Sequence, residues 1–366
     1  LENSIKNLIS DSNDEWSITT LNDKGKIIVD IKGHKNKIPA SNQKVLTTAF
    51  ALDILGPKYR LSTKLYFDKE KNVYEIIGQG DPDFNENDLL KISDAIYDHF
   101  LDNNSDNLVI YIYEEPKINW WNSTWTSPDK NEAYGAPITR LALTSNAKEF
   151  SISDPLSRFE NILRISLESK ISNFTIIKKP HSQFKNEKAS YPLLKIESAP
   201  LYSLLNLANS ESHNFTSEVL LRVSSGTWNQ HDAITKLSDW TKTIRFPSKS
   251  ITPIDGSGLS RSNRLTTNSI AHLLYRMNKH KHRNYFISSM SLLGYRGTLR
   301  TLNTNSQING RFLGKTGTLT GIRSLSGYLF KDNEVNYVSI ITTSTLDIDD
   351  RYQQILNKVF TNNECN

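Results

Sequence analysis

The stretch Gly310-Arg-Phe-Leu-Gly-Lys-Thr-Gly-Thr318 fits two kinds of site, a phosphate-binding loop or a strand that holds a peptide carboxylate. A Walker A loop needs four residues between its first glycine and Gly-Lys-Ser/Thr, because that length lets backbone N–H groups wrap a phosphate. Only three residues separate Gly310 from Gly314, and no helical pattern follows Thr318. The other interpretation treats Lys-Thr-Gly as one of three dispersed motifs of a serine acyl-transfer enzyme, which predicts a nucleophile motif far upstream.

Composition favours a soluble globular protein of about two domains, since the chain has 366 residues of which 37% are hydrophobic. No run of about 18 apolar residues occurs, so the sequence predicts no transmembrane segment. The net charge is only +5, and the basic residues are scattered among 39 acidic ones instead of forming a stripe, which argues against a nucleic-acid partner. The single cysteine, Cys365, excludes an intrachain disulfide framework and a thiolate zinc site. Without a His-Glu-x-x-His motif, we expect no catalytic metal.

The order of apolar patterns predicts one domain made from both chain ends and interrupted by an insertion. Helix and hairpin patterns fill the first 61 residues, short strands and a helix follow, and helices return beyond Leu201 before a last strand pair and helix. We therefore predict an α/β (α+β) fold with an antiparallel sheet flanked by helices. The predicted catalytic domain is 1–61 with 199–366, and the smaller inserted α/β domain is 62–198.

The expected nucleophile motif, Ser-x-x-Lys, occurs four times: Ser41/Lys44, Ser127/Lys130, Ser145/Lys148 and Ser182/Lys185. Ser41 differs from the others because it opens an apolar helical run that Gly56-Pro57 ends, and we expect it to cap that helix. Residues three apart share a helix face, so Lys44 is expected within hydrogen-bond reach of Ser41. A desolvated lysine can act as a base. The alternative is an ordinary capping serine beside an exposed lysine.

The middle motif, Ser-x-Asn, has two candidates. Ser105-Asp-Asn107 lies where a helix turns into a strand, and its composition is typical of a plain turn. Ser212-His-Asn214 lies between two apolar helical runs and can reach the site from a helical lobe. We select Ser212 and Asn214.

With these choices the chain contains seven motifs in a fixed order. They are Ile38-Pro-Ala-Ser-Asn-Gln-Lys44, Gly78-Gln-Gly-Asp-Pro82, Tyr134-Gly-Ala-Pro137, Ser212-His-Asn214, Asp255-Gly-Ser-Gly-Leu-Ser-Arg261, Gly297-Thr-Leu-Arg300 and Gly314-Lys-Thr-Gly-Thr-Leu-Thr-Gly321. In these motifs and their order the chain resembles the class C low-molecular-mass penicillin-binding proteins. Members of that family are D-alanyl-D-alanine carboxypeptidases and endopeptidases with a penicillin-binding/serine β-lactamase-like transpeptidase domain.

The resemblance implies a role for each matched residue and no cofactor. Ser41 attacks the carbonyl of the penultimate D-alanine and Lys44 accepts its proton. Ser212 relays a proton to the leaving nitrogen, and Asn214 positions an amide of the acyl group. On the third motif, Lys315 supplies positive charge and the substrate-binding residues are Thr316, Gly317 and Thr318, with the two threonines holding the terminal carboxylate. The backbone N–H groups of Ser41 and Thr318 form the oxyanion hole.

The implied partners are peptidoglycan stem peptides ending in D-Ala-D-Ala and β-lactam antibiotics, at an extracytoplasmic site in the periplasm or cell envelope. Because the chain begins with Leu1, we expect a leading segment to have been removed. Two departures from the family stand out: His213 replaces the usual aspartate, and the third, nested domain is expected to be missing or vestigial. A serine β-lactamase and a catalytically silent peptidoglycan-binding protein are the alternatives.

Overall fold

A computed structural model describes residues 1–10, 15–103, 107–185, 190–244, 246, 251–302, 307–344 and 348–362. The strands are β1 (Glu15–Leu21), β2 (Ile27–Ile31), β3 (Arg60–Asp68), β4 (Val73–Ile77), β5 (Leu108–Glu114), β6 (Phe174–Pro180), β7 (Ser190–Pro200), β8 (Ser291–Leu292), β9 (Phe312–Leu319), β10 (Ile322–Phe330) and β11 (Val335–Thr343). The α-helices are α1 (Glu2–Ile9), α2 (Gln43–Leu55), α3 (Glu86–Asp102), α4 (Ser127–Asn131), α5 (Pro155–Glu168), α6 (Leu201–Asn209), α7 (Asn214–Ser225), α8 (Gln230–Thr243), α9 (Thr267–Lys279), α10 (Arg283–Ser288) and α11 (Asp349–Thr361). The 3-10 turns at Ala40–Asn42 and Gly297–Leu299 also matter for the site.

The chain divides into two compact units. One consists of Leu1–Lys58 and Leu201–Asn366, and the other is Tyr59–Pro200. The unit built from both chain ends contains the sheet β2-β1-β11-β10-β9-β8, in which all neighbouring strands are antiparallel. The antiparallel sheet with flanking helices confirms the predicted fold class.

The two faces of this sheet carry different layers. Ile18 of β1, Leu325 of β10 and Ile340 of β11 join a buried apolar core with residues of α1 and α11. On the opposite face α9 packs against β1 and β11, and Thr19 bonds to Thr267 at 2.9 Å. Since successive side chains of a strand point to opposite faces, each of these strands serves both layers.

The unit Tyr59–Pro200 has its own sheet, in the order β6-β5-β4-β3-β7. The pairs β4–β5 and β5–β6 are parallel, whereas β3 pairs antiparallel with both β4 and β7. Helices α3 and α5 bury apolar side chains, among them Ile96 and Phe159, in the same core as the strands. The crossovers that parallel strands require are supplied by these two helices.

Helix α2 begins later than the sequence suggests. The prediction that Ser41 caps this helix is wrong, because Ala40–Asn42 forms a 3-10 turn and the helix proper starts at Gln43. The side chain of Asn42, which holds the capping position, makes no capping hydrogen bond. The other end is as expected: Gly56 has a φ of +75°, a conformation that favours glycine.

We predict that the core between the sheet and α11 contributes strongly to the stability of its unit. Ile355 is 0% exposed in this core, so Ile355→Ala should lower the free energy of unfolding by about 2–5 kcal/mol through lost burial and a new cavity. The control Ile54→Ala, at a position 51% exposed, should cost less than about 0.5 kcal/mol. Urea denaturation measures both. Equal losses at the two positions would contradict this account of the core.

Candidate active site

The turn that carries Ser41 is held against strand β10 by polar bonds. Ser324 donates its hydroxyl to the Pro39 carbonyl at 2.8 Å, and the Asn42 amide lies 3.2 Å from the Ser326 hydroxyl. Ala40, directly before Ser41, has a φ of +49°, a backbone conformation that non-glycine residues adopt rarely and at an energetic cost. The surrounding contacts therefore fix the position of Ser41 against this local strain.

Lys44 lies at the centre of the site. Its Nζ is 2.9 Å from Ser41 Oγ, 2.7 Å from Asn214 Oδ1 and 2.6 Å from the Ser257 carbonyl oxygen, and its side chain is fully buried. An ammonium group has three N–H donors, so these three acceptors saturate it. The motif residues Ser41 and Asn214 thus meet at one nitrogen atom.

Burial lowers the pKa of Lys44 to about 7, although the negative charges of Asp255 and Glu218 oppose this shift. A neutral amine keeps two N–H donors and gains one lone pair. The amide oxygen of Asn214 and the Ser257 carbonyl can only accept, whereas Ser41 carries a hydroxyl proton that it can donate. The lone pair of neutral Lys44 must therefore face Ser41, which is the arrangement that a general base needs.

The first turn of α7 supplies Asn214 to the site. Asn214 is the first residue of α7, and the backbone N–H of His213 donates to the Leu207 carbonyl at 3.1 Å. Ser212 is half-buried and has a φ of +60°. The structure thus brings Asn214 directly to Lys44 and places Ser212 two residues earlier on strained backbone. The competing candidate Ser105 lies outside the described residues, and the three other Ser-x-x-Lys pairs lie in the unit Tyr59–Pro200.

The ring of His213, which replaces an aspartate of the family pattern, is electrostatically close to Lys44. Its Nδ1 is 2.8 Å from Thr216 Oγ1. Burial, with a further contribution from the charge of Lys44, lowers the pKa of His213 to about 4. The ring is therefore neutral at pH 7, where an aspartate would carry a negative charge.

Strand β9 brings the Lys-Thr-Gly motif to the nucleophile. Lys315 is fully buried, and burial together with the charge of Lys44 lowers its pKa well below the usual value. Its Nζ donates to the Thr316 carbonyl at 2.8 Å. Thr316 donates its hydroxyl to Thr298 Oγ1 at 2.7 Å, and Thr318 is exposed.

Two glycines allow this close packing. A Cβ added to Gly317 would lie 2.9 Å from the Ser41 nitrogen and 2.2 Å from Ser324 Oγ. A Cβ on Gly258, where φ is +85°, would lie 1.8 Å from the Ala40 carbonyl oxygen. Side chains at these positions would push β9 and the turn at Ser257 away from the nucleophile.

The sequence interpretation missed the support behind Lys44. In the sequence, the segment Asp255–Arg261 is only one of the seven motifs and has no assigned role, but its Ser257 carbonyl is the third acceptor of Lys44. That turn is held by Glu218, whose Oε1 accepts the N–H groups of Gly256 and Ser257, both at 2.8 Å. The signal in the sequence was a glutamate four residues after Asn214, on the same face of α7.

Glu218 belongs to a buried charged group. Its Oε2 pairs with Arg222 Nη1 at 3.0 Å, and both side chains are at most 1% exposed. Burial raises the pKa of Glu218, and the nearby negative charge of Asp255 acts in the same direction. Asp255 itself accepts the N–H groups of Gly258 and Ser260. The two carboxylates therefore shape the turn and place negative charge near Lys44.

Within the described ranges, we find no group of three or more His, Cys, Asp or Glu side chains that could hold a metal ion. None of the helices formed by the described residues has both the length and the apolar character needed to cross a lipid bilayer.

The sequence profile of the D-Ala-D-Ala carboxypeptidase 3 (S13) family matches residues 1–183 and 148–358 of this chain. The chain belongs to this family. The resemblance stated from the motifs is thereby confirmed. Among curated relatives, this S13 member is 29% identical over 189 residues to the penicillin-sensitive carboxypeptidase A of Dictyostelium discoideum. That alignment spans 46% of the chain and 36% of the relative, so the chain covers about a third of that protein's length.

Solved structures show the same fold. Penicillin binding protein 4 of Haemophilus influenzae superposes with a TM-score of 0.83 at 15% identity, covering 97% of this S13 member and 99% of that chain. A predatory peptidoglycan endopeptidase of Bdellovibrio bacteriovorus gives a TM-score of 0.60 at 20% identity, covering 94% and 90%. At these identities the likeness supports the fold alone.

We predict that His213→Asp moves the acid limb of the acylation rate to higher pH. An ionised carboxylate beside Lys44 would favour the charged ammonium, so a higher pH would be needed to form the neutral base. If the pKa of Lys44 rises by about 0.5, the rate at about pH 6 should fall roughly threefold. Stopped-flow measurement of the acylation rate at a series of pH values locates the acid limb, and His213→Asn is the uncharged control. An unchanged profile in the aspartate variant would show that this position is not coupled to Lys44.

We predict the opposite effect for Glu218→Gln. Removing this charge takes away one influence that raises the pKa of Lys44, so the acid limb should move to lower pH. The maximum rate should fall about tenfold, because a neutral amide accepts the Gly256 and Ser257 N–H groups less strongly than a carboxylate and holds the Ser257 carbonyl less firmly. The free energy of unfolding should fall by roughly 3 kcal/mol, because Arg222 loses its buried charge partner. Glu168→Gln, at an exposed position, is the control. A loss of stability with an unmoved pH profile would leave Glu218 a purely structural residue.

Proposed function

We propose that this chain is a serine-type D-alanyl-D-alanine carboxypeptidase and endopeptidase that acts on peptidoglycan stem peptides. The observation that carries the proposal is the set of three acceptors around Lys44 Nζ, which aims the lone pair of the neutral amine at Ser41. Family membership supports the same reaction class.

In the first step Ser41 Oγ bonds to the carbonyl carbon of the penultimate D-alanine, and its proton passes to Lys44 Nζ. The carbon–nitrogen bond to the leaving residue then breaks. The leaving nitrogen takes up a proton that returns from Lys44 by way of Ser212. Water attacks the resulting ester, which releases the shortened peptide and restores the Ser41 hydroxyl. This cycle needs no metal or cofactor.

We propose that the substrate binds along strand β9. Strand β8 pairs only with Leu313 and Gly314, so from Lys315 to Leu319 that edge of β9 has no strand partner among the described residues. An extended peptide can add to such an edge through backbone hydrogen bonds. Thr316 and Thr318 would hold the terminal carboxylate, and Lys315, whose Nζ lies 2.8 Å from the Thr316 carbonyl oxygen, would supply positive charge.

The N–H groups of Ser41 and Thr318 are the proposed oxyanion hole. The absence of a side chain on Gly317 lets β9 approach the Ser41 nitrogen, which supports this pairing. Removing one such donor typically costs about 3 kcal/mol of transition-state stabilisation.

We further propose that the protein works outside the cytoplasm, where peptidoglycan is found, and that β-lactams acylate it. The Bdellovibrio endopeptidase has been solved acylated by penicillin G, with a TM-score of 0.57 to this chain. The two compact units would be the catalytic domain and the insertion predicted from sequence, with the third nested domain missing or vestigial.

The acyl-enzyme formed with penicillin should be long-lived. A β-lactamase of class A uses a glutamate to activate the deacylating water. A glutamate whose charge acts on Lys44 is Glu218, and both of its oxygens are engaged, one by two backbone N–H groups and the other by Arg222. This carboxylate is therefore not positioned to activate water.

The test is intact-mass analysis after incubation with benzylpenicillin, on the wild type and on Ser41→Ala, Ser105→Ala and Ser212→Ala. We expect one stable penicillin adduct on the wild type and on Ser105→Ala, slow formation on Ser212→Ala, and none on Ser41→Ala. An adduct that survives the loss of Ser41 would refute the assigned nucleophile. Rapid turnover of a chromogenic cephalosporin would indicate a β-lactamase, and no adduct on the wild type would indicate a silent binding protein.

A further inference from the structure

A chain of buried polar groups runs behind the nucleophile. The hydroxyl oxygens of Ser339 on β11 and Ser326 on β10 are 2.9 Å apart, and the amide of Asn42 lies 3.2 Å from the Ser326 hydroxyl. All three side chains are 0% exposed. Because a buried polar group is costly unless it is hydrogen-bonded, the direction of each bond in this chain matters. None of the three side chains has a role in the reaction proposed above.

The orientation of the Asn42 amide follows from its neighbours. One end of the amide lies 2.7 Å from the Lys315 carbonyl oxygen, and this end must be the NH2 group, because an oxygen there would face a second acceptor. In this orientation Nδ2 donates to the Lys315 carbonyl, and Oδ1 accepts from the Ser326 hydroxyl at 3.2 Å. Ser326 can then accept from Ser339, so each hydroxyl donates once. The chain therefore links β11 and β10, through Asn42, to the backbone of β9.

The backbone groups of β9 alternate between its two edges. The Phe312 carbonyl accepts the Leu293 N–H at 3.0 Å, on the side of β8 and away from β10. Since this alternation continues along a regular strand, the N–H of Thr318, six residues later, points to the same edge as the Phe312 carbonyl. The Lys315 carbonyl points the other way, towards β10. Asn42 thus holds β9 at one edge, while the N–H of Thr318 lies at the edge proposed for the substrate.

The two ends of the Asn42 bond are close to the two donors of the proposed oxyanion hole. Asn42 follows Ser41 directly, and Lys315 precedes Thr318 by three residues. The two segments also approach closely, because a Cβ added to Gly317 would lie 2.9 Å from the Ser41 nitrogen. The bond from Nδ2 to the Lys315 carbonyl therefore constrains the separation of the Ser41 and Thr318 N–H groups. Such donors stabilise a transition state only when they are placed where its charge develops.

We propose that Asn42 is a positioning residue that sets the width of the oxyanion hole. Its amide, backed by Ser326, holds β9 at the distance at which the N–H groups of Ser41 and Thr318 reach the same substrate oxygen. This inference rests on the proposed function, because it assumes that these two N–H groups are the oxyanion hole. Asn42 is not one of the three acceptors of Lys44, so its role is separate from that of the base.

The first experiment measures acylation by benzylpenicillin over a range of concentrations, which separates the limiting rate constant from the half-saturating concentration. Asn42→Leu replaces the amide with an apolar group of similar size. We expect the limiting rate constant to fall about tenfold, because displacing a donor costs part of what removing it costs. The half-saturating concentration should change less than about twofold, since the lost stabilisation belongs mainly to the transition state. The acid limb of the pH profile should not move, because Lys44 keeps its acceptors.

The second experiment records the infrared stretch of the ester carbonyl in the penicillin acyl-enzyme. Hydrogen bonds from the N–H groups of Ser41 and Thr318 polarise this carbonyl, so their displacement in Asn42→Leu should move the stretch to higher wavenumber. Ser326→Ala is the milder variant and keeps the test valid if Asn42→Leu does not fold. It removes the donor to Asn42 Oδ1, so it should shift the stretch in the same direction and lower the limiting rate constant about threefold.

The matched control is Asn336→Leu. Asn336 is a 2% exposed asparagine on β11 and lies opposite Leu329, three strand positions from the pair formed by Ser339 and Ser326. The same substitution there should leave the limiting rate constant and the ester stretch at their wild-type values. Urea denaturation of each variant measures its stability separately from its kinetics.

The outcomes distinguish this inference from the proposed function. A wild type that forms no penicillin adduct would refute the proposed function, and this inference with it. Normal acylation of the wild type, with an unchanged rate constant and stretch in Asn42→Leu and Ser326→Ala, would overturn the inference alone. An equal fall in Asn336→Leu would also overturn it, as would an effect of Asn42→Leu that is confined to the free energy of unfolding.

Discussion

The site depends on the desolvation of one amine. Lys44 Nζ is buried among three oxygen acceptors, and burial lowers its pKa far enough for a neutral fraction to exist near pH 7. Two opposing effects set this state: low polarity favours the neutral amine, and the carboxylates of Asp255 and Glu218 favour the ammonium. With more negative charge around it, Lys44 would be mostly protonated at neutral pH, so a smaller fraction of the amine could act as a base. Without the two carboxylates its pKa would fall further, and the neutral amine would accept the proton of Ser41 less readily.

The rest of the unit can be understood as the support for that position. Asn214 comes from α7, Ser257 from a turn between α8 and α9, and Ser41 from a 3-10 turn tied to β10. These segments are far apart in sequence, so each needs its own anchor. Glu218 anchors the turn, and the glycines at 258 and 317 permit backbone contacts that any Cβ would prevent. The strain at Ala40 is tolerated because the bond from Ser324 to the Pro39 carbonyl and the close approach of Gly258 fix the backbone there.

Many of the secondary-structure elements and candidate site residues could be predicted from sequence, because short local patterns determine them. The apolar pattern after Ser41 predicts α2, and the predicted last strand pair corresponds to β10 and β11. Three short motifs select Ser41, Asn214 and Lys315, and the structure brings Ser41 and Asn214 together at Lys44. Local patterns did not predict the features of the site that tertiary contacts determine. The backbone of Ala40–Asn42 is set by β10 rather than by capping propensity, so the helix start was misplaced. The Ser257 carbonyl has no signature in the sequence, since a backbone oxygen is the same at every residue. Glu218 and Arg222 are four residues apart, a spacing that is common in exposed ion pairs, so the sequence alone does not show that this pair is buried.

Strand β9 presents two chemically different faces. Lys315 and Gly317 lie on the side of Ser41, where the Lys44 amine already has three acceptors. The threonines at 316 and 318 lie on the opposite face, where their neighbours on β10 are Leu325 and Arg323. A side chain on the threonine face can therefore change without disturbing the acceptors that hold Lys44 in place.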